Sequence, residues 1–325
     1  LYGDRVVCEE DLLALAARCL PACQGFDEQG HAELLGIAHG AGLPPEQVMA
    51  LNGLTDLRDV LAWGDDPERV EGCTAFVVQG DRTSSGTVRI GQTWDLGTEN
   101  RPFVVSVHRR PREGPETWSV TTAGCLSLMG LSETGIAIGT TNLRTTDARV
   151  GVPYLQLIHR ALRCLDVREA VDCLANATRA GAHSFVVADG KGAGVILECT
   201  ATLVHERWCR RGFDVQTNHC RHPAQRALEA ATPVASSRAR LARMQRLLEG
   251  ERALGDEALI AFLADREGGG LAINRDDVEG ISTNAAFVAA PSERTLLACA
   301  GAPDAGAWSS LGPGPPAQAR RKGAR

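Results

Sequence analysis

Hydrophobic residues in the first part of the chain recur at helical spacing, and residues 9–70 are predicted to be mainly helical. A first helix over 11–17 is expected to end at Pro21, because a proline inside a helix removes a backbone hydrogen bond. A second helix over 31–38 should stop at the glycines that follow it. A third should begin at the prolines at 44–45, where the missing donor costs nothing.

From Cys73 onward the apolar positions alternate with a period of two or form short apolar runs, both of which are typical of β-strands. Strands are predicted at 74–79, 87–94, 102–108, 117–121, 135–140, 184–187 and 194–197, with a closing hairpin of 284–289 and 295–300. Helical spacing returns at 152–180, 236–249 and 255–265. The order of strands and helices favours two antiparallel sheets packed together with helices outside. The tail at 312–325, rich in Gly, Pro, Ala and Arg, is predicted to be disordered.

Charge and cysteine content exclude several functional classes. The 325-residue chain has a formal net charge of -6, which argues against a nucleic-acid binder, and it lacks an apolar run of about 18 residues that would predict a membrane span. Its 11 cysteines are odd in number and irregularly spaced, so reduced thiols in the cytoplasm are expected rather than a disulfide framework. The close pair Cys19 and Cys23 has no second pair to complete a zinc site, and no metal is expected.

Cys73 is the main candidate for chemistry, because it opens a strand directly after Gly72. If the backbone were cut between these residues, Cys73 would carry a free α-amino group. That amine could act as the base for its own thiol, as in N-terminal threonine enzymes. Glycine before the cut permits backbone conformations that other residues resist. The alternative interpretation is a buried core thiol at the start of a strand.

Other polar residues lie at strand ends and could complete an active site. Asp95 ends a strand and could hold a new amino group, or it could simply start the turn at Gly97. Asn218 could donate to an oxyanion, or it could bond to loop backbone. Further candidates for oxyanion or substrate contacts are Asn142, Arg144, Thr217 and His219, with Arg101 and Arg294 as further partners for a substrate carboxylate.

Several short strings occur together in a fixed order: 72–74, 91–95, 122–124, 135–142, 151–153 and 217–220. Together they resemble the acyl-CoA:6-aminopenicillanic acid acyltransferase-like (self-processing penicillin acyltransferase) family of N-terminal nucleophile hydrolases. The resemblance implies an α+β fold, a four-layer αββα sandwich. It also implies cleavage between Gly72 and Cys73 into fragments 1–72 and 73–325, which stay associated as a heterodimer. The first fragment would be a helical pro-segment, and 73–311 would form the catalytic part.

The same resemblance gives roles to three residues: Cys73 as nucleophile and base, Asp95 as support, and Asn218 in the oxyanion hole. Two departures are expected. The segment that usually precedes the first helix should be missing or shortened, and the arginine expected near 280–283 is absent, which leaves a substrate-binding or supporting role unfilled.

We therefore expect an autoproteolytic cysteine amidohydrolase or acyltransferase that acts on a small N-acyl amide through a Cys73 thioester. Its expected partners are that small-molecule amide or acyl donor and its own first fragment, with no nucleic acid, membrane, metal or organic cofactor. Two alternatives stay open. One is a conventional Cys–His thiol hydrolase with a base such as His219 and no cut, and the other is a non-catalytic binding member of the fold.

Overall fold

The computed structural model describes residues 8–61, 72–229, 235–275 and 280–314. Its α-helices are α1 (Glu9–Phe26), α2 (Glu28–Ala41), α3 (Pro45–Asn52), α4 (Leu54–Leu61), α5 (Tyr154–Ala161), α6 (Val167–Asn176), α7 (Pro223–Arg226), α8 (Ala235–Gly250) and α9 (Asp256–Leu263). Short 3-10 helices cover Thr98–Phe103, Gly269–Leu271 and Pro291–Glu293. The predicted helical stretch beyond residue 61 and the predicted disordered tail beyond 314 lie outside the described residues.

The strands form two antiparallel sheets. They are β1 (Gly72–Val78), β2 (Arg89–Gly97), β3 (Val104–Arg109), β4 (Thr117–Thr122), β5 (Met129–Ser132), β6 (Ala137–Asn142), β7 (His183–Ala188), β8 (Gly194–Cys199), β9 (Val204–Trp208), β10 (Phe213–Gln216), β11 (Ile281–Ala290), β12 (Thr295–Ala300) and β13 (Trp308–Leu311). The first sheet has the order β10-β1-β2-β11-β12-β13, and the second runs from β3 to β9 in chain order.

The two sheets pack face to face, and helices cover their outer faces. Strands β1 and β2 contact β6 and β7 across the interface between the sheets. Helices α8 and α9 cover the first sheet, α6 covers the second, and α1 to α5 pack among themselves on the same side as α6. The predicted four-layer αββα sandwich is therefore confirmed.

The side chains of β1 point alternately into two different hydrophobic cores. Ala75 and Val77 belong to the large core that includes the space between the sheets. Phe76 and Val78 point the other way, into a separate core with residues of α8 and α9 such as Met244. Successive side chains of a strand alternate between its faces, so Cys73 lies on the same face as Ala75, between the sheets.

The helix ends show where the sequence-based predictions were wrong. Helix α1 continues through Pro21 to Phe26, because Pro21 is on the exposed side while Cys19 and Cys23 are fully buried and keep this segment packed. Helix α2 passes through Gly40 but ends at Ala41 with Gly42 as its C-cap, as the glycines predicted, since the φ of 66° at Gly42 suits the left-handed turn that glycine readily adopts. The short strands β5, β9, β10 and β13 were not predicted as strands.

Candidate active site

The pairing of β1 with β2 brings the predicted cleavage site and the predicted supporting carboxylate together. Gly72 lies directly opposite Asp95, and Cys73 lies opposite Trp94. Gly72 and Cys73 are both part of one continuous strand, so the peptide bond between them is held in extended conformation. The sequence strings around 73 and 95 thus meet because two neighbouring antiparallel strands align them.

The Asp95 carboxylate occupies the space where a side chain of residue 72 would be. A Cβ added to Gly72 would lie 2.3 Å from Asp95 Oδ2 and 3.1 Å from its Cγ. Glycine is therefore required here by close packing against the carboxylate, and not by a positive φ, since Gly72 is in a regular strand.

Asn218 follows β10 and binds the backbone at the same peptide bond. The backbone N–H of Cys73 donates to Asn218 Oδ1 at 2.8 Å, and Asn218 Nδ2 donates to the carbonyl oxygen of Asn142 at 3.0 Å. The backbone N–H of Asn218 donates in turn to Ser237 Oγ at 2.9 Å. Asn218 is thus fixed, through its side-chain amide and its backbone N–H, by contacts with β1, β6 and α8, and the structure brings Asn142 into the site as well.

Arg240 of α8 is a site residue that the sequence analysis missed. Its guanidinium is fully buried and donates to the carbonyl oxygen of Cys73, to Thr74 Oγ1 at 3.1 Å and to Asn218 Oδ1 at 2.9 Å. Burial is the main reason that the pKa of Arg240 falls to about 10, so the group stays cationic at neutral pH. A sequence signal did exist: Arg240 shares one face of α8 with Met244 and Leu248 at spacings of four residues.

Asp95 is fully enclosed and is held by groups that precede and open β11. Thr283 Oγ1 donates to Asp95 Oδ1 at 2.8 Å, and Arg275 Nε lies 3.3 Å from Asp95 Oδ2. Arg275 also donates to Ser236 Oγ, and its backbone N–H donates to Thr283 Oγ1 at 2.9 Å. Burial raises the pKa of Asp95, while the nearby guanidinium groups of Arg275 and Arg240 and the Thr283 hydroxyl counteract that rise.

These contacts correct the expectation that a supporting role near 280–283 is unfilled. The guanidinium beside Asp95 comes from Arg275, several residues before the strand, and Thr283 lies opposite Asp95 in the strand pairing. No local pattern in the sequence distinguishes Arg275 from surface arginines, since it lies outside any periodic element.

The remaining predicted candidates lie in two groups. Thr217 and His219 flank Asn218, but both contact Ser237 of α8: Thr217 Oγ1 donates to the Ser237 carbonyl at 2.9 Å, and His219 Nδ1 lies 2.7 Å from Ser237 Oγ. Burial first, and then four nearby arginines, lower the pKa of His219 to about 4. His219 is therefore a weak base whose Nδ1 contacts a neighbouring hydroxyl.

The predicted carboxylate-binding arginines each contact groups of the protein itself. Arg144 Nε lies 3.5 Å from the buried carboxylate of Asp59. Arg101 donates to the carbonyl oxygen of Thr283 at 3.4 Å, and Arg294 donates to the carbonyl oxygen of Glu133 at 3.4 Å. Of these, Arg101 contacts Thr283, a residue that binds Asp95.

A cavity opens beside Cys73 and encloses about 720 Å³ of empty space, its mouth included. Its wall near the thiol includes Trp94, Asp95 and Asn142, and a second thiol, Cys125, also lines it. Leu51, Leu54 and Thr55 of the segment before Cys73 also line this cavity. Both sides of the predicted cut therefore contribute to the same cavity.

Within the described ranges, the residues do not bring together three or more side chains that could hold a metal ion. No helix in that part of the chain is both long enough and apolar enough to cross a membrane.

Comparisons with solved structures establish the fold. A variant of the conjugated bile acid hydrolase from Clostridium perfringens superposes with a TM-score of 0.51 at 11% identity, over 74% of this chain and 92% of the hydrolase. A second variant of that hydrolase gives a TM-score of 0.50 at 9% identity, with the same coverage of each chain. The αββα sandwich described above is thus the fold of that hydrolase as well.

Sequence comparison identifies the family. The chain is 25% identical over 222 residues to the 40 kDa form of acyl-coenzyme A:6-aminopenicillanic-acid-acyltransferase of Emericella nidulans, which covers 68% of this chain. The matched region spans 60% of that relative's length. Residues 82–305, more than half of the chain, match the family described as acyl-coenzyme A:6-aminopenicillanic acid acyl-transferase. The chain therefore belongs to the acyl-coenzyme A:6-aminopenicillanic acid acyl-transferase family.

Proposed function

We propose that the chain cuts itself between Gly72 and Cys73 and then acts on amide bonds with Cys73 as an N-terminal nucleophile. The observation that carries this proposal is the environment of the bond itself. Asp95 packs against Gly72, Asn218 accepts from the Cys73 N–H, and Arg240 donates to the Cys73 carbonyl. Membership of the family and the hydrolase fold support an enzyme that acts on amides.

Self-cleavage would begin with attack of the Cys73 thiol on the carbonyl carbon of Gly72. A C–S bond forms, the C–N bond breaks, and the nitrogen of Cys73 leaves as an amine that takes up the proton lost by the thiol. Water then hydrolyses the thioester, which gives a Gly72 carboxylate and restores the thiol. Asp95 lies against Gly72 and Asn218 holds the nitrogen, so both groups are placed to orient this bond during the attack.

The same residues would then act on a substrate. The new α-amino group of Cys73 takes the thiol proton, the sulfur attacks an amide carbonyl, and the departing amine takes a proton as the thioester forms. Asn218 Nδ2 carries two hydrogens, one of which donates to Asn142, so the other can donate to the oxyanion. Arg240 adds a fixed positive charge within the same hydrogen-bond network.

The acyl group would pass to water or to an amine. We assign hydrolysis as the default reaction, because water is always present. The substrate would be a small N-acyl amide, since apolar side chains such as Leu128 and Leu155 bound the cavity for a hydrocarbon group, and polar ones such as Asn100 and Asn142 are present for an amide.

The fragment before the cut would remain bound. Leu57 of α4 is almost fully buried, and α4 together with α3 lines the cavity through Leu51, Leu54 and Thr55. Loss of fragment 1–72 would expose this apolar surface and remove one wall of the cavity, so a heterodimer of 1–72 and 73–325 is the expected product.

A conventional Cys–His hydrolase is less well supported by the same geometry. A histidine whose pKa is lowered to about 4 is a weak base at neutral pH, and His219 Nδ1 contacts the Ser237 hydroxyl. A His219→Gln variant discriminates the two mechanisms: an enzyme that uses its own α-amino group keeps its activity, whereas a Cys–His enzyme loses it.

Intact mass of freshly purified protein tests the proposal. The wild type should give two fragments that break before Cys73, and Cys73→Ala should stay as one chain. Cys125→Ala is the matched control, because Cys125 lines the same cavity and has the same 6% exposure as Cys73. A wild-type chain that stays uncut, or a Cys125→Ala variant that fails to cut while Cys73→Ala does cut, would overturn the proposal.

A further inference from the structure

We infer that the cavity beside Cys73 contains a polar subsite, made by His183, Asp56 and Thr55, that accepts a hydrogen bond from the substrate. The ligand would be an apolar group that carries one hydrogen-bond donor, such as a hydroxyl or an amide N–H. This inference rests on the proposed function only in taking the occupant of the cavity to be the substrate of Cys73.

The position of His183 ties it to the catalytic residues. It is the first residue of β7 and lies opposite Asn142 of β6, whose carbonyl oxygen accepts from Asn218. Its ring stacks on Tyr154, with ring centroids 4.1 Å apart and an interplanar angle of 14°. His183 and Tyr154 both line the cavity that Cys73 lines, although His183 is only 3% exposed. The ring is therefore held in place by packing at the wall of the cavity.

One nitrogen of the ring is occupied by the segment that precedes the predicted cut. His183 Nε2 lies 3.3 Å from Asp56 Oδ1 and 3.5 Å from Thr55 Oγ1. Asp56 is itself fixed: its Oδ2 accepts from the backbone N–H of Tyr154 at 3.1 Å, and a Cβ on Gly181 would lie 3.1 Å from its Cγ. A carboxylate beside Nε2 favours a proton on that nitrogen, so the Asp56 pair selects the Nε2–H tautomer.

The other ring nitrogen of His183 is Nδ1. Nδ1 of His183 is buried and has no hydrogen-bond partner within the described part of the chain. With the proton on Nε2, Nδ1 presents a lone pair and can only accept. Burying an acceptor without a donor costs about 1–3 kcal/mol, which a ligand with a correctly placed donor would recover.

The surroundings narrow the chemical class of that ligand. Leu51, Leu54 and Leu155 make the cavity wall around the subsite largely apolar, so the bulk of the bound group should be hydrocarbon. A plain hydrocarbon would leave Nδ1 unpaired. A carboxylate would face a lone pair with the negative charge of Asp56 behind it, and it should be rejected.

The test is to measure by calorimetry how tightly matched amides bind to the wild-type chain. The probes are 3-phenylpropanamide, 3-(4-hydroxyphenyl)propanamide and 3-(4-methoxyphenyl)propanamide. They share the amide and differ only in the para group of the ring, of which the hydroxyl alone is a donor. We expect the hydroxylated amide to bind about fivefold more tightly than the plain one, from one added hydrogen bond, and the methoxy amide to lose this gain.

A pair of variants assigns the gain to the ring. His183→Phe keeps a flat ring against Tyr154 but removes Nδ1, so the hydroxylated and plain amides should bind equally. His159→Phe is the matched control, because His159 is 4% exposed and does not line the cavity, and it should keep the fivefold ratio. Thermal unfolding checks that each variant folds.

Equal binding of the hydroxylated and plain amides to the wild type, or the absence of binding by both, overturns the subsite. A fivefold ratio that survives in folded His183→Phe also overturns it. If His183→Phe does not fold, the comparison of the hydroxylated and methoxy amides on the wild type is the deciding test: equal affinities would overturn the subsite. Binding of these amides requires neither self-cleavage nor turnover. An uncut wild type would therefore contradict the proposed function, while the ratio of the two affinities would still test the subsite.

Discussion

Replacing Gly72 by alanine adds one methyl group at the proposed cleavage site and tests whether the Asp95 carboxylate occupies that space. The added Cβ would lie 2.3 Å from Asp95 Oδ2, whereas real Cβ atoms stay at least 3.0 Å from such neighbours. Either the strand at residue 72 or the carboxylate must therefore move by the difference between 3.0 and 2.3 Å, about 0.7 Å.

The carboxylate has little freedom to give way. Asp95 is fully buried, and Thr283 and Arg275 hold its two oxygens. We therefore expect most of the displacement at the scissile bond itself. Overpacking of this kind costs about 1–3 kcal/mol of stability, and misplacing a reacting bond by about 1 Å can cost roughly a hundredfold in rate. Self-cleavage of Gly72→Ala should thus slow by about 10- to 100-fold.

A time course of intact mass after cell-free synthesis measures this rate, with unfolding in urea beside it. Gly25→Ala is the matched control, because its Cβ meets nothing within 4 Å and it lies in helix α1, before the cut. It should cut at the wild-type rate and gain slight stability, since alanine favours a helix over glycine. If Gly72→Ala cuts itself at the wild-type rate and has the wild-type stability in urea, the Asp95 carboxylate does not occupy the space beside residue 72.

Three further changes test the groups behind the site. Arg240→Met should slow self-cleavage by about 10²- to 10³-fold in the same mass assay, because one charged donor is lost. Arg275→Met should destabilise the fold by about 3–5 kcal/mol at neutral pH, because it removes the guanidinium that lies 3.3 Å from the buried Asp95 carboxylate. Burial raises the pKa of Asp95, so this carboxylate takes up a proton more readily in the folded protein than in the unfolded chain, and the loss measured by urea unfolding should shrink as the pH falls. His219→Gln should flatten the acid side of the stability curve: the folded pKa of His219 is about 4 and its unfolded pKa about 6.5, so the wild type loses up to about 3 kcal/mol as pH falls between them. A His219→Gln curve that drops as steeply as the wild type would contradict this.

The strands could be predicted from short apolar runs and from apolar positions that alternate along the chain. In β1 the residues Ala75 to Val78 form a continuous apolar run, because both faces of the strand are buried against different cores. Helix ends were harder to predict. Pro21 breaks the local rule for helices, and only the burial of residues on either side of it explains why the helix continues.

The residues of the site also differ in how far the sequence could predict them. Gly72 and Cys73 lie on the strand next to that of Asp95, and the family resemblance already implied that these residues share one site. Arg240 and Arg275 enter from a helix and a loop more than 160 residues after Cys73, and tertiary packing alone decides which arginines turn inward. In α8, Arg238 and Arg240 look alike as residues; only the helical spacing to Met244 distinguishes the buried one.

The two buried arginines also explain what the site is built to stabilise. The charged groups that act on Arg240 are Arg275, Asp95 and Cys73 itself. Two guanidinium groups against one carboxylate leave an excess of one positive charge, in a region from which water is largely excluded. A thiolate at Cys73, or the oxyanion that forms when it attacks, would supply the missing negative charge. If Cys73 acts as the proposed nucleophile, the positive charge is already fixed in place, so the protein would not need to reorganise as that negative charge develops, and the barrier to attack would be lower.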